Sequence, residues 1–289
     1  MKYTTLNSYL KKRFGCKVYK LALDGGFTCP NRDGTIGTGG CIFCSRGGSG
    51  DFAESRDLSI TEQIEKAKKK VAKKITDGKY IAYFQAFTNT YAPVERLEEI
   101  YMQAVMHKDI VALSIGTRPD CLGADVIALL ERINKIKPVF VELGLQTIHK
   151  KAAEYIRRGY DLSVYDKAVE DLHDAGINVV THLIIGLPGE SKEDILASVE
   201  YVCRYTDGIK LQLLHILEGT DLAEEYKNGK VKALSLEEYT DIIKSCVEII
   251  PQRVVIHRLT GDGAKKDLIA PLWSADKKRV LNTISKALQ

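Results

Sequence analysis

Short runs rich in β-branched residues alternate with longer amphipathic segments along the chain. Repeated strand–helix units of this kind favour a parallel sheet with right-handed crossovers. The helical segments begin at recognisable capping boxes: Ser59 with Glu62, Ser235 with Glu238 and, in a variant form, Ser191 with Asp194. The strands are predicted at residues 17–23, 80–85, 111–116, 139–145, 178–185, 210–216 and 253–258, with a helix at 191–204.

Six or so such units predict an α/β fold, a barrel or partial (β/α) barrel, with its active site at the carboxyl ends of the strands. Polar residues and glycines do follow the predicted strands at that end. They fall at residues 24–26, 86–90, 117–120, 146–147 and 186–190. We expect one domain over residues 1–289, with an N-terminal extension at 1–16 and a C-terminal elaboration from about 220 to 289.

The bulk properties are those expected of a soluble protein of moderate size. The chain has 289 residues, 45% of them hydrophobic, which suffices for a substantial core. Neither a signal peptide nor an apolar run long enough to cross a bilayer is apparent, so a cytoplasmic protein without membrane contact is expected. Seven cysteines, an odd number, do not indicate a disulfide framework in such a chain.

Three cysteines, Cys29, Cys41 and Cys44, lie in one glycine-rich segment. Glycines allow a loop to bend closely around a compact object, so a metal or cluster site is predicted. Structural zinc and most iron–sulfur clusters take four protein ligands. Neither Cys nor His recurs before His107. A zinc site with a distant fourth ligand and a Cys41/Cys44 redox pair remain alternatives.

Several motifs lie around the three cysteines and at or after the predicted strand ends. They are Gly-Phe-Thr-Cys-Pro-Asn-Arg-Asp-Gly at 26–34, Gly-Gly-Cys-Ile-Phe-Cys at 39–44, Thr-Arg-Pro-Asp at 117–120, Glu-Leu-Gly-Leu-Gln-Thr at 142–147, Arg-Arg-Gly-Tyr at 157–160 and Gly-Leu-Pro-Gly-Glu at 186–190. Together these motifs resemble radical S-adenosylmethionine (radical SAM) proteins of the branch similar to the Elongator catalytic subunit, and in particular the small bacterial YhcC/YtqA-type family. This resemblance covers nearly the whole chain and implies a partial (β/α) barrel of the radical SAM type.

The resemblance implies that Cys29, Cys41 and Cys44 ligate a [4Fe–4S] cluster. With three cysteines, one iron has no protein ligand, and in this family the amino and carboxylate groups of SAM bind there. Phe43, the aromatic residue before the third cysteine, also fits the family pattern.

The resemblance also implies contacts with SAM. The loop after the second predicted strand differs from the common Gly-Gly-Glu, but Thr88 and Asn89 offer oxygens to the SAM ammonium. Gln146 is expected to bind the ribose, Arg158 the carboxylate, and the backbone at Gly186 the adenine. As alternatives, Arg158 is a charged helix end beside a glycine and Gly186 belongs to an ordinary turn.

The implied activity is reductive cleavage of SAM to methionine and a 5′-deoxyadenosyl radical, with an external one-electron donor such as flavodoxin or ferredoxin. Enzymes similar to the Elongator catalytic subunit act on the wobble uridine of tRNA. A conversion of its C5 side chain is therefore the leading expectation, with tRNA as partner. A radical SAM enzyme acting on a small metabolite and a non-catalytic metal-binding interaction module are the alternatives.

Basic residues offer weak support for tRNA. Six lysines lie on one predicted helix between residues 66 and 74, either as a solvated face or as a nucleic-acid contact. Residues of the C-terminal third are further candidates for a phosphate backbone. These are Lys210, Arg253, His257 and Arg258.

One further histidine and the other cysteines receive structural interpretations. His182 lies in an apolar strand, where a barrel-interior histidine with satisfied hydrogen bonds is expected, with a catalytic acid as the alternative. Cys203 and Cys246 fall in helices and are predicted to be core residues. Cys121 is interpreted as an inert loop residue, with a substrate-facing thiol as the alternative. Cys16 precedes the first predicted strand and receives no role.

Overall fold

The computed structural model describes residues 3–48, 53–75, 78–261, 263 and 265–289, without the side chain of Lys74. Strands and helices alternate through most of this part of the chain. The strands are β1 (Thr4–Thr5), β2 (Val18–Leu23), β3 (Lys79–Phe84), β4 (Ile110–Thr117), β5 (Val139–Gln146), β6 (Asn178–Ile185), β7 (Gly208–Leu213), β8 (Ile216–Leu217), β9 (Val255–Arg258) and β10 (Leu268–Ala270). The helices are α1 (Leu6–Phe14), α2 (Ile60–Val71), α3 (Val94–Val105), α4 (Ala124–Asn134), α5 (Lys150–Tyr155), α6 (Leu162–Asp174), α7 (Lys192–Val202), α8 (Asp221–Lys227), α9 (Leu236–Ile249) and α10 (Lys277–Ala287).

Eight strands form one parallel sheet in the order β1-β9-β7-β6-β5-β4-β3-β2. The sheet curls into a partial barrel with helices outside it, so the predicted fold class is confirmed. The two remaining strands, β8 and β10, pair antiparallel in a small separate sheet. Strands from both ends of the chain, β1 and β9, belong to the barrel sheet. In the described part of the chain, no helix has the length and apolar character needed to cross a membrane.

The predicted strands match the observed ones closely, and strand 178–185 matches exactly. The prediction at 210–216 was wrong in detail, because β7 ends at Leu213 and a short strand, β8, follows. The strand predicted at 253–258 begins two residues later. All three capping boxes are present: each serine accepts a backbone N–H three residues on, and the acidic side chain returns a bond.

Strand β1 and helix α1 were missed, because the first residues show no continuous apolar pattern. Thr5 caps the start of α1 by accepting the backbone N–H of Ser8, and Gly15 ends it in the left-handed region. The helix closes the amino end of the barrel. Its Leu10 is buried among residues from the starts of the strands, namely Val18, Ile81, Ala112, Phe140 and Val180.

The buried cysteines behave as expected. Cys203 and Cys246 lie in the main apolar core between sheet and helices. Cys16 packs beside the residues that surround α1. It therefore lies at the amino end of the barrel, opposite the loops that follow the strands.

Because Leu10 fills the amino end of the barrel, we predict that Leu10→Ala lowers the free energy of unfolding by about 2–5 kcal/mol. Urea denaturation measures this change. Lys12→Ala, an exposed change on the same helix, is the control and should stay within about 0.5 kcal/mol of wild type. Equal stability of the two variants would show that α1 does not support the barrel.

Candidate active site

A cavity of about 1060 Å³ occupies the barrel interior between α1 and the loops at the carboxyl ends of the strands. Its wall is strongly basic. Among the described residues that line it, Glu142 is the single acidic one. The basic ones are Lys17, Lys20, Arg32, Arg118, Arg158, Lys210, Arg258 and Lys277. Such a wall attracts an anionic ligand.

All three cysteines of the glycine-rich segment, Cys29, Cys41 and Cys44, line the carboxyl end of this cavity. The loop is held by its own groups. Arg32 donates from Nη2 to the carbonyls of Cys44 and Ser45, at 2.9 and 2.6 Å. Gly40 has φ +76°, and a Cβ there would lie 2.9 Å from the Arg32 side chain. A glycine is therefore required where the loop folds over Arg32.

The thiols fit a cluster better than a single ion. Among the described residues, one group of three or more His, Cys, Asp or Glu residues has all its ligand atoms within 4.8 Å of one another. It consists of Glu65, His107 and Asp109 and contains none of the three cysteines. The three sulfurs are therefore not drawn together around one ion, as a zinc tetrahedron requires. A cubane cluster binds its ligands at separate corners, and that spacing suits this loop.

The surroundings of Cys41 in the glycine-rich segment shift the pKa of its thiol. Burial, and next the neighbouring Cys44, raise the pKa of the Cys41 thiol to about 11. A bound metal would displace this proton, because coordinating thiols are deprotonated. Asn31 donates from Nδ2 to the Cys41 sulfur at 3.5 Å, a bond that favours the thiolate. The donor set therefore fits a thiolate-bound group.

The mouth of the cavity carries aromatic residues. Phe43 lines the wall beside the cysteines. Phe87 lies near two guanidinium groups, with Arg32 at 5.6 Å and Arg56 at 5.9 Å from its ring centre. Its φ of +59° is rare for a bulky residue, and such strain is concentrated at functional sites.

The structure places Thr88 and Asn89 differently. Thr88 lines the cavity, and its backbone N–H donates to Thr28. Asn89 is fully buried and donates from Nδ2 to the carbonyl of Gly116 at 2.8 Å. Its Oδ1 is one of two buried side-chain atoms in the described part of the chain without a hydrogen-bond partner. That oxygen retains the capacity to accept a bond.

Gln146, at the end of β5, lines the cavity at a bulge in the pairing with β6 and has φ +68°. Gly186 has φ +94°, and a Cβ there would approach the Leu234 side chain to 2.9 Å. Glycine is thus required at this strand end. Both residues lie at the same end of the barrel as the cysteines, Gln146 as the last residue of β5 and Gly186 directly after β6.

Arg158 lines the cavity, and its guanidinium is fixed by hydrogen bonds to backbone carbonyls. Its Nη1 donates to the carbonyls of Leu145 and Thr147, and its Nε donates to Tyr160. The guanidinium also lies over the ring of Tyr160, 4.6 Å from its centre. These bonds fix the loop that follows α5, and they orient the charge towards the cavity wall.

Deeper in the cavity lies a charged cluster that the sequence analysis did not identify. Glu142 is fully buried and accepts hydrogen bonds from Lys20, Lys210, Ser114 and His182. The bonds from Ser114 and His182 measure 2.6 and 2.8 Å. Charged residues within otherwise apolar strands were the available signal. The expected role of His182, an interior histidine with a satisfied hydrogen bond, is confirmed.

The electrostatics of this cluster follow from burial and neighbouring charge. Burial alone would raise the pKa of Glu142, but Lys20, Lys210 and His182 hold it well below its usual value. Burial lowers the pKa of Lys210 to about 7, against the attraction of Glu142. Burial and next Lys210 lower the pKa of His182 to about 4, so its imidazole is neutral at pH 7.

The expected phosphate contacts in the C-terminal third were wrong for Lys210 and His257. Both line the barrel interior, where a polynucleotide backbone does not reach. Arg253 is exposed, and its guanidinium donates to the backbone carbonyls of Cys203, Arg204 and Thr206 at the amino end of the barrel. Arg258 also lines the cavity.

The lysine-rich helix α2 also points away from the site. Lys66 and Lys70 pair with Glu54, at 3.7 and 2.5 Å, and Lys68 pairs with Asp109 at 2.7 Å. Asp109 directly precedes β4, so this part of α2 lies towards the amino end of the barrel. The arrangement favours the interpretation as a solvated face.

Matches to two protein-family models identify the family. Residues 32–202 match the radical SAM superfamily, and residues 206–289 match the radical SAM C-terminal domain. The chain belongs to the radical SAM superfamily, whose cofactors are SAM and a [4Fe–4S] cluster.

Individual relatives narrow this placement. The chain is 46% identical to the uncharacterized protein YtqA of Bacillus subtilis, over 100% of this chain and 90% of that protein. It is 41% identical to the protein YhcC of Escherichia coli, over 93% of this chain and 86% of that one. The resemblance to YhcC/YtqA-type proteins is thereby confirmed.

Enzymes and structures of the Elongator type are similar over part of their length. A tRNA uridine(34) acetyltransferase of Methanocaldococcus jannaschii is 33% identical over 159 residues, 53% of this chain and 28% of that protein. The structure of archaeal Elp3 from Methanocaldococcus infernus superposes with a TM-score of 0.68 at 21% identity, covering 91% of this chain and 63% of that one. This structural likeness supports the fold.

Because Glu142 compensates two buried ammonium groups, we predict that Glu142→Gln destabilises the fold by about 3–5 kcal/mol. Urea denaturation at pH 7 gives the value. The control is Glu131→Gln, which removes an exposed pair with Lys135 at 2.8 Å and should leave the free energy of unfolding close to that of wild type. Equal losses would mean that the interior pairs do not stabilise the barrel.

Proposed function

We propose that this radical SAM enzyme modifies the C5 side chain of the wobble uridine of tRNA. The observation that carries the proposal is the similarity to tRNA uridine(34) acetyltransferases over about half of the chain. A single nucleoside substituent suits a deep and narrow barrel interior. The surrounding tRNA remains outside, since anticodon bases can be splayed out of their stack.

The mouth of the cavity supports a nucleobase ligand. Phe87, near Arg32 and Arg56, offers a ring and two planar cations beside the cysteine loop. Unstacked bases bind to such aromatic and guanidinium planes, and the arginines also attract phosphates. Arg56 is half exposed and pairs with Asp24 at 3.3 Å, so it remains accessible at the mouth.

For the cofactors, we infer that Cys29, Cys41 and Cys44 ligate the cluster and that Phe43 packs beside it. Thr88 and the unpartnered Oδ1 of Asn89 provide acceptors for the SAM ammonium. Further SAM contacts fall to residues at other strand ends of the same barrel mouth. These are Gln146 for the ribose, Arg158 for the carboxylate and the backbone near Gly186 for the adenine.

When bound, the cluster and SAM would supply a reduced iron centre and a sulfonium whose reductive cleavage yields a carbon radical. The electron would come from an external donor such as flavodoxin or ferredoxin. The chain's own residues provide confinement. Leu10 and its neighbours close the amino end of the barrel, which keeps solvent from the reacting atoms. The basic wall and the Glu142 cluster orient the substrate from below.

Cys41→Ala tests the cluster assignment. We predict loss of the bound iron and sulfide and loss of 5′-deoxyadenosine formation, because two thiolates do not retain the cluster. Cys203→Ala and Cys246→Ala remove cysteines of the core and should keep both. The checks are iron and sulfide analysis after anaerobic reconstitution, and chromatography of the cleavage product. Full SAM cleavage by the Cys41 variant would refute the assignment.

The substrate is tested by tRNA binding as a function of salt. We predict that affinity falls with increasing salt, because phosphate contacts release counterions. Arg56→Ala should reduce the slope of log affinity against log salt by about one. Lys69→Ala, on the exposed far part of α2, should leave the slope unchanged. If the wild-type protein binds no tRNA at low salt, a small metabolite is the better substrate class.

A further inference from the structure

We propose that the floor of the cavity is a binding site for a carboxylate group of the substrate, held by Lys20 and Lys210. The inference deepens the proposed function, since it concerns the substituent that enters the barrel. It does not depend on that substituent belonging to a uridine.

The two ammonium groups are built into the barrel. Lys20 donates to Glu142 and to Ser114 Oγ, and Lys210 donates to Glu142 and to the Tyr83 hydroxyl at 3.2 Å. Both also lie over the ring of Tyr83, at 4.8 and 4.6 Å from its centre. Each ammonium carries three N–H donors, so these bonds leave each lysine a donor for a ligand.

Cationic groups outnumber anionic ones on the floor. Two lysine ammonium groups share the one carboxylate of Glu142, and both neighbouring imidazoles are neutral, since burial lowers the pKa of His182 to about 4 and that of His257 well below its ordinary value. Burial, the largest cause, also lowers the pKa of Lys210 to about 7, and the nearby charges of Lys20 and Arg258 lower it further. The charged and titratable groups around Lys210 are Lys20 on β2, Tyr83 on β3, Glu142 on β5, His182 on β6, and His257 and Arg258 on β9.

A second observation points to a ligand at this level. Nδ1 of His257, which lines the same cavity, is the other buried side-chain atom without a hydrogen-bond partner in the described ranges. Nδ1 can carry the imidazole proton and donate it to an anion. Lysine donors with an adjacent neutral imidazole suit a carboxylate, which accepts hydrogen bonds from both.

This site is separate from the strand end to which the SAM carboxylate is assigned. Glu142 lies four residues before Gln146 on the same strand, about 13 Å along it towards the amino end of the barrel. The phosphates of a nucleic acid stay at the mouth, since α1 closes the other end. The anion must therefore belong to a slender part of the substrate that enters the barrel.

The test uses acetate as the probe and acetamide as its neutral isostere. The full-length, anaerobically reconstituted protein is labelled with ¹³C at lysine Cε, and each lysine is titrated by NMR. The Lys210 signal is assigned by its loss in Lys210→Arg. We expect saturating acetate to raise the pKa of Lys210 by about one unit or more, and acetamide to leave it unchanged.

Chloride at the same ionic strength is the second control. An equal shift with chloride, or none with acetate, would overturn the proposal. In addition, Lys20→Met should abolish the acetate effect on Lys210, whereas Lys150→Met, a change of an exposed lysine, should preserve it. An undiminished effect in Lys20→Met would remove Lys20 from the site.

A nucleoside pair connects the site to the proposed function. Uridine-5-acetic acid and uridine-5-acetamide differ only in the charge of the C5 substituent. We expect the acid to bind at least about tenfold more tightly in the presence of SAM, with the preference lost in Lys210→Met. If acetate shifts Lys210 but neither nucleoside binds, the carboxylate site stands and the uridine assignment fails. Tighter binding of the amide would contradict the carboxylate site.

Discussion

The interior of this barrel is organised around the buried carboxylate of Glu142. A buried charge is tolerated only when it is paired and hydrogen-bonded. Here Lys20, Lys210, Ser114 and His182 converge on it from four other strands of the sheet. These contacts fix how the strands face one another inside the barrel, and they place cationic groups where an apolar core would otherwise form.

Three layers follow from this constraint along the barrel axis. Leu10 and the first interior residues of the strands make an apolar base. Above them lies the charged cluster, and above that the loop with Cys29, Cys41 and Cys44 at the mouth. A substrate that reaches from the mouth towards Lys20 and Lys210 passes the cysteine loop, so the layering sets the order in which its parts meet the protein.

Much of the fold could be predicted from local pattern. Strands such as β6 are apolar runs of definite length, and Ser59, Ser191 and Ser235 mark helix starts by their own hydrogen bonds. The first helix could not be predicted in this way. Its one buried residue is Leu10, and the barrel end that buries Leu10 forms only in the tertiary structure.

The site was partly predictable for the same reason. The three cysteines are close in sequence, and their shared loop follows from spacing. The partners of Glu142 are not close to it in sequence, since Lys20 and Lys210 are separated from it by 122 and 68 residues. Only the curl of the sheet brings them together. The sequence left two interpretations of Lys66 and Lys70 open, because their pairing with Glu54 depends on tertiary structure.

Modification of tRNA by this enzyme is tested most directly by anaerobic incubation of the reconstituted protein with SAM, a reductant and bulk tRNA from a strain that lacks the enzyme. The readout is nucleoside mass spectrometry. We predict that 5′-deoxyadenosine forms in step with the conversion of one wobble uridine derivative to a product with a changed C5 substituent. Equal formation of 5′-deoxyadenosine with and without tRNA, together with an unaltered nucleoside profile, would contradict it.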